Sequence, residues 1–167
     1  MVTGSEKVLL GEISQIGIVV TNLRNSMERY WRIFGLGPWR IYTYEPPRLI
    51  ETMVRGKPEP YSMKLAFATA GPMIELIEPL DGNSIYKEFL AERGEGLHHI
   101  ASFAVDDVDK AIAQLEKQGI GVLQSGKYCD GDFNVFFAYM DTEKELDVIV
   151  ELVRLHGRRP SPEATYP

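Results

Sequence analysis

Apolar and polar positions follow two different periods along this chain, and the same order of periods occurs twice. EISQIGIVV is rich in β-branched residues and predicts a strand. In the TNLRNSMERYWRIFG that follows, Leu23, Met27, Tyr30, Trp31 and Phe34 form one helical stripe, with Thr21 or Asn22 placed to cap its start and Gly35 its end. Between Pro38 and Pro79, WRIYTY, MKLAFAT and PMIELIEP predict three strands. The charged, proline-rich EPPRLIETMVRGKPEPYS between the first two predicts one long loop, of the length lids have. DGNSIYKEFLAERGEG then predicts a connecting helix and turn.

The second half repeats the order. LHHIASFAV predicts a strand, DDVDKAIAQLEKQG a helix with Val108, Ala111, Ile112 and Leu115 in a stripe, and GVLQSGKY, FNVFFAYM and LDVIVELV three more strands. Gly35 and Gly119, Gly37 and Gly121, and Gln15 and His99 are each 84 positions apart, so one register aligns strand, helix and turn of both halves. The expected fold is α+β: a tandem pair of βαβββ units, over 12–80 and 96–155, forming one open, cleft-lined mixed sheet with helices covering one side. The polar ends, 1–10 and 157–167, predict flexible tails around a single domain spanning 1–167.

Composition narrows the function classes. The 167 residues are 44% hydrophobic, enough for one substantial core, and the net charge of −6 disfavours nucleic acid and anionic lipid as partners. The single cysteine, Cys129, excludes an intramolecular disulfide and a cysteine-type zinc site and points to the cytoplasm. No basic-then-apolar leader and no run of 18 apolar residues predicts export or a membrane span.

Four residues are candidates for chemistry. Alternation puts Ile16, Ile18 and Val20 under the helix and turns Gln15 to the other, open side. The 84-residue register places His99 beside it in role, while His98 aligns with Ser14 on the opposite face. Glu75 and Glu151 lie within strands that are apolar on both parities, where a lone ionised carboxylate costs several kcal/mol unless a cation or metal accompanies it. Each Glu is in the last strand of its unit, and Gln15 and His99 are each in the first. A pseudo-twofold axis therefore brings all four together, and an amide, an imidazole and two carboxylates suit a divalent ion such as Zn, Ni, Co, Mn or Mg. The aromatics Trp39, Tyr42, Tyr44, Phe133, Phe136 and Tyr139 are candidates for the cleft wall, and Arg40, Arg48, Arg55 and Lys57 for its mouth.

These residues resemble the vicinal oxygen chelate superfamily of glyoxalases, bleomycin-resistance proteins and dioxygenases, over nearly the whole chain from Glu12 to Leu155. The most specific stretch, IELIEPLDGNSIYKEFLAERGEGLHHIASFAVDDVDKAI, is similar to the middle of methylmalonyl-CoA epimerases and glyoxalase-like relatives. The resemblance implies metal ligands at Gln15, Glu75, His99 and Glu151, and a reaction in which a metal polarises a carbonyl and a carboxylate removes the adjacent proton. It implies Glu151 as the base, Glu75 as ligand or second acid/base, and Glu59 or Glu51 as a further candidate for that second role.

The epimerases usually have His where this chain has Gln15, and a Gln, Glu, His, Glu set resembles glyoxalase I instead. Epimerase-like isomerisation, lactoylglutathione lyase activity and non-enzymatic binding of a small ligand are therefore three readings. Their ligands would be an acyl-CoA, a thiol adduct or an aromatic ketone, and relatives of this size suggest a homodimer. A His, His, Glu dioxygenase site is disfavoured, because only one suitably placed histidine is expected.

Overall fold

Capping and alternation start the first unit as its pattern predicts. The computed structural model describes residues 7–167. In it, β1 (Gln15–Val19) leads into α1 (Leu23–Phe34), whose N-cap Asn22 accepts a hydrogen bond from the Asn25 backbone N–H at 2.8 Å and whose end is set by Gly35 at φ 63°. Leu23 and Met27 are buried against the sheet, whereas Trp31 and Phe34, at the end of the stripe, remain 43% and 77% exposed. The first half continues with β2 (Trp39–Tyr44), β3 (Leu49–Val54), β4 (Lys57–Pro58), β5 (Met63–Thr69) and β6 (Met73–Pro79). After α2 (Ile85–Arg93) come β7 (Gly96–Ser102), α3 (Val108–Glu116), β8 (Val122–Asp130), β9 (Phe133–Met140), the short α4 (Glu143–Leu146), β10 (Ile149–His156) and β11 (Ala164–Tyr166).

The strands form one mixed sheet in the order β11-β2-β5-β6-β1-β7-β10-β9-β8-β3-β4. At its centre β1 and β7 pair antiparallel, and each also pairs parallel with the last strand of its own unit, β6 or β10. The quartets β2-β5-β6-β1 and β8-β9-β10-β7 are thus the two βαβββ units, related as the 84-residue register predicts. The sheet curls until Tyr44 of β2 stacks on Tyr128 of β8, ring centroids 3.8 Å apart, although seven places separate these strands. It stays open, because β2 and β8 share no ladder. Helices α1 and α3 cover the outer face over two apolar clusters, and α2 inserts Ile85 and Tyr86 into the inner one.

Two expectations give way. The predicted lid at 45–62 is not one loop: β3 crosses to the second unit and pairs with β8, burying Leu49 and Val54, while Arg55 forms an ion pair with Glu88 of α2 at 2.6 Å. Its alternation is concealed by an irregularity between Ile50 and Met53, where Glu51 takes φ 52°. The tail at 157–167 is docked, with β11 antiparallel to β2 and the Glu163 carboxylate accepting from Thr43 N at 2.7 Å and Thr43 Oγ1 at 2.9 Å. Of the N-terminal tail expected over 1–10, residues 1–6 lie outside the described residues. From there Val8 and Leu10 pack on the α3 cluster, and the Leu10 carbonyl accepts from Ser102 Oγ.

Because Leu49 is 2% exposed, Leu49→Ala is expected to lower unfolding free energy by about 2–5 kcal/mol in urea titration. A change near zero would mean that the segment is the loose lid its composition suggested.

Candidate metal centre

The four candidate ligands meet on the inner face of the sheet. Gln15 is on β1, Glu75 on β6, His99 on β7 and Glu151 on β10, adjacent strands about the pseudo-twofold axis, and none is more than 6% exposed. His99 Nε2 lies 3.4 Å from Glu75 Oε2 and 3.2 Å from Glu151 Oε2, and Gln15 Nε2 donates to Glu75 Oε2 at 2.5 Å. One ligand atom from each of Glu75, His99 and Glu151 falls within 4.8 Å of the others.

Small residues make room for the two side chains that start each unit. His99 stands opposite Gly17 in the β1–β7 ladder, and a Cβ on Gly17 would lie 1.9 Å from the imidazole Cε1. The register-equivalent of Gly17 is Ala101, which stands opposite Gln15. Gly17 was readable as an isolated glycine in a β-branched strand, the sign of a close approach.

The two histidines do not alternate. Gly17 pairs with His99 but Ile18 with Leu97, so His98 is an extra residue, a β-bulge. The bulge turns His98 inward rather than to the face of Ser14 where alternation puts it. It is 3% exposed, packed against Tyr86, Phe89 and Tyr139, with its Nδ1 3.0 Å from His99 Nδ1. Burial pushes the His98 pKa down to about 2 and keeps it neutral, so a His99 that is protonated, or that ligates through Nε2, presents its Nδ1–H to His98 Nδ1 as acceptor. That hydrogen bond aims His99 Nε2 at the carboxylates.

The electrostatics fit a cation. Burial raises the Glu75 pKa, the penalty of holding a carboxylate in an apolar site beside Glu151. Burial also pushes the His99 pKa down, but Glu151 and then Glu75 outweigh it and carry it up to about 9. His99 Nε2 and Glu151 Oε2 are buried without a hydrogen bond of good geometry. Ligands at about 2.1 Å from one ion stand roughly 3 Å apart, which the spacings of these atoms resemble. The residues therefore fit a divalent ion of N/O preference, with two carboxylates to balance its charge.

A cavity of about 30 Å³ opens beside these groups, lined by Gln15, Glu75 and Glu151 and walled by Tyr44, Phe67, Phe103, Phe137 and Tyr139 among others. Of the predicted wall, Tyr44 and Tyr139 line it; Tyr42 and Phe133 belong to the same inner cluster without lining it. Trp39 and Phe136 do not belong to it. Trp39 is packed under α1 against Tyr30, and Phe136 is on the α3 side beneath Arg154. Both have the opposite strand parity from the wall residues, and parity names Phe137 instead.

Glu51 and Glu59 are also away from the cavity: Glu51 is exposed on β3, and Glu59 accepts from Asn83 Nδ2 at 3.2 Å. Arg48 and Arg55 are engaged with Asp130 and Glu88, and Lys57 is exposed on β4. Of the proposed mouth residues, Arg40 lines an outer groove together with Arg159, a residue not anticipated, which also lines the cavity itself.

The sequence model of the Glyoxalase/Bleomycin resistance protein/Dioxygenase superfamily matches residues 14–139. The chain is 28% identical over 149 residues to the uncharacterized protein YqjC of Bacillus subtilis, covering 89% of this chain and 95% of that one. In structure it is similar to the hypothetical protein BH1468 of Bacillus halodurans, with TM-score 0.62 and 22% identity over 92% of this chain and 98% of that one. It is also similar to a variant of Streptomyces coelicolor methylmalonyl-CoA epimerase in complex with 2-nitronate-propionyl-CoA, with TM-score 0.61 and 24% identity over 93% and 97%. At these identities the structural likenesses are of fold. No helix among the described residues is long and apolar enough to cross a membrane.

Two outcomes are expected. With its pKa raised to about 9, His99 in the metal-free protein carries a proton near neutral pH that ligation must remove, so titration with a divalent ion in buffers of different ionisation enthalpy should show about one proton released. No release would place the ion elsewhere. Gly17→Ala should displace the imidazole and weaken metal binding about tenfold or more, with a stability loss of about 1–3 kcal/mol; unchanged metal affinity would show that the imidazole can shift without consequence.

Proposed function

Because the chain belongs to the Glyoxalase/Bleomycin resistance protein/Dioxygenase superfamily, we propose that it is a metal-dependent isomerase or epimerase that moves a proton next to a carbonyl, as the methylmalonyl-CoA epimerases do. The observation that carries this reading is the pair of buried carboxylates sharing one imidazole at the wall of a cavity. Gln15, Glu75, His99 and Glu151 would hold the metal, with the Gln15 amide turned so that its oxygen is the ligand atom. When bound, a divalent ion polarises a carbonyl oxygen and makes the neighbouring C–H acidic.

The rest falls to the protein. Glu151 Oε2, buried beside His99 Nε2 and, unlike Glu75, not occupied by the Gln15 amide, is the group we assign to take the proton. Glu75 is the other carboxylate in reach. It is assigned to return a proton from the second side, because Glu51 and Glu59 do not reach the cavity. The aromatic and aliphatic wall excludes water, which strengthens each electrostatic contact and protects a reactive carbanion from stray protonation. The acyl-CoA analogue bound by the Streptomyces coelicolor epimerase makes a 2-branched acyl thioester the first substrate to test.

Metal-loaded protein should exchange the α-proton of a 2-methyl-branched acyl-CoA for solvent deuterium, followed by NMR, and Glu151→Gln should slow the exchange about a hundredfold or more while the protein stays folded. No exchange across a panel of α-chiral carbonyl compounds, with metal demonstrably bound, overturns the proposal. Conversion of the methylglyoxal–glutathione hemithioacetal to lactoylglutathione would move it to glyoxalase I chemistry.

A further inference from the structure

After β10 the chain does not leave the sheet. Gly157, at φ 75° and so close to Asp132 that a Cβ would lie 2.4 Å from its carbonyl oxygen, turns the backbone into a strap over the inner face. The strap is pinned on both sides of its first charged contact. Tyr42 Oη donates to the Pro160 carbonyl at 3.3 Å, Glu163 holds Thr43, and β11 completes the attachment.

Held this way, Arg159 lies with its guanidinium 4.4 Å from the ring centre of Phe67, 5.4 Å from Phe133 and 5.5 Å from Tyr42. Its Nη1 donates to Tyr44 Oη at 3.2 Å. Among the described residues no carboxylate lies within 4.0 Å of it. A half-buried guanidinium has five N–H donors in a rigid fork, and here the protein engages one side of it with a neutral phenol. Rings on several sides fix its position without neutralising it.

Arg159 also stands at a junction. It lines the cavity that holds Gln15, Glu75 and Glu151, and it lines an outer groove of about 680 Å³ with Arg40, Tyr42 and Arg158. It is the residue that the inner cavity and the outer groove have in common. With a divalent ion balancing Glu75 and Glu151, Arg159 leaves the cavity one positive charge in excess. An inner cavity of about 30 Å³ suits a planar carboxylate better than a phosphate.

We propose that Arg159 is a specificity-determining residue that pairs with a carboxylate on the carbonyl substrate, so that the site selects carboxylate-bearing carbonyl compounds over neutral ones. This rests on the reading of the site as a carbonyl-directed metal centre. The strap is then part of the binding site, closing over the end of the substrate opposite the metal ligands.

The test is a binding measurement that needs no turnover. Malonate, its uncharged diamide and inorganic phosphate are titrated calorimetrically into wild-type protein, Arg159→Met and Arg159→Lys, each with and without bound divalent ion. Methionine keeps the apolar contact with the rings and removes the charge; lysine keeps the charge and removes the fork. Wild type should bind malonate in preference to the diamide and to phosphate, Arg159→Met should weaken malonate about tenfold or more, and Arg159→Lys should fall between. Metal affinity should not fall in either variant, because Arg159 is not a candidate ligand and its charge opposes that of the ion.

Equal malonate affinity in wild type and Arg159→Met, no malonate binding by wild type, or an Arg159-dependent preference for phosphate overturns the proposal. If Arg159→Met unfolds, the wild-type and Arg159→Lys comparison decides alone, with equal malonate affinity counting against it. Absence of deuterium exchange with Arg159-dependent malonate binding intact would sink the proposed reaction and leave the anion site standing. The converse result would sink the anion site alone.

Discussion

Two carboxylates and an imidazole share one dry space, and much of the fold serves to put them there. Glu75 and Glu151 repel each other across a region that water cannot screen, so holding both requires positive charge between them. A proton on His99, whose pKa, against the effect of burial, the two carboxylates carry up to about 9, supplies it, and a divalent ion bound among the three would supply it instead. The central antiparallel pairing of β1 and β7 brings the first strands of the two units together, and the flanking parallel pairings carry in the last strands with their glutamates. Since the site is built from the middle of the sheet, its geometry inherits the rigidity of the ladders on either side.

The two units contribute equivalent positions and unequal chemistry. Gln15 and His99 occupy the same register, each opposite a small residue, yet only the second unit has the bulge that adds His98 behind its ligand. The consequence is a neutral imidazole in hydrogen-bond contact with the candidate ligand His99. In the first unit Gln15 is instead oriented by Glu75. Duplication set the positions, and local departures from it set the donor properties.

Much of this was legible in the sequence, because a twofold repeat converts one correct strand register into two. Gln15, Glu75, His99 and Glu151 converge as alternation predicted, each carboxylate standing out in a strand otherwise apolar on both faces. Trp39 and Phe136 were misplaced by choosing aromatics for their chemistry without applying the same parity. His98 was misplaced for the opposite reason: parity was applied across a bulge, whose extra residue shows only in the partner strand's pairing. The β3 strand and the docked strap were hidden by composition. Proline, arginine and glutamate suggest solvent exposure, but here ion pairs, aromatic rings and edge pairing hold those segments in place.

The same two segments close a vulnerability of the duplicated architecture. Each βαβββ unit ends in an edge strand, β2 in one and β8 in the other, with a row of backbone groups able to pair with any extended chain. β11 covers the first and β3 the second, neither of them part of the repeat. What is left outermost is three residues of β11 at one end and, at the other, the two-residue β4, which ends in Pro58, beside the Leu49 to Thr52 part of β3 that it does not pair with. The open ladder at either end of the sheet is thereby cut to short stretches, which leaves another extended chain little length on which to continue it.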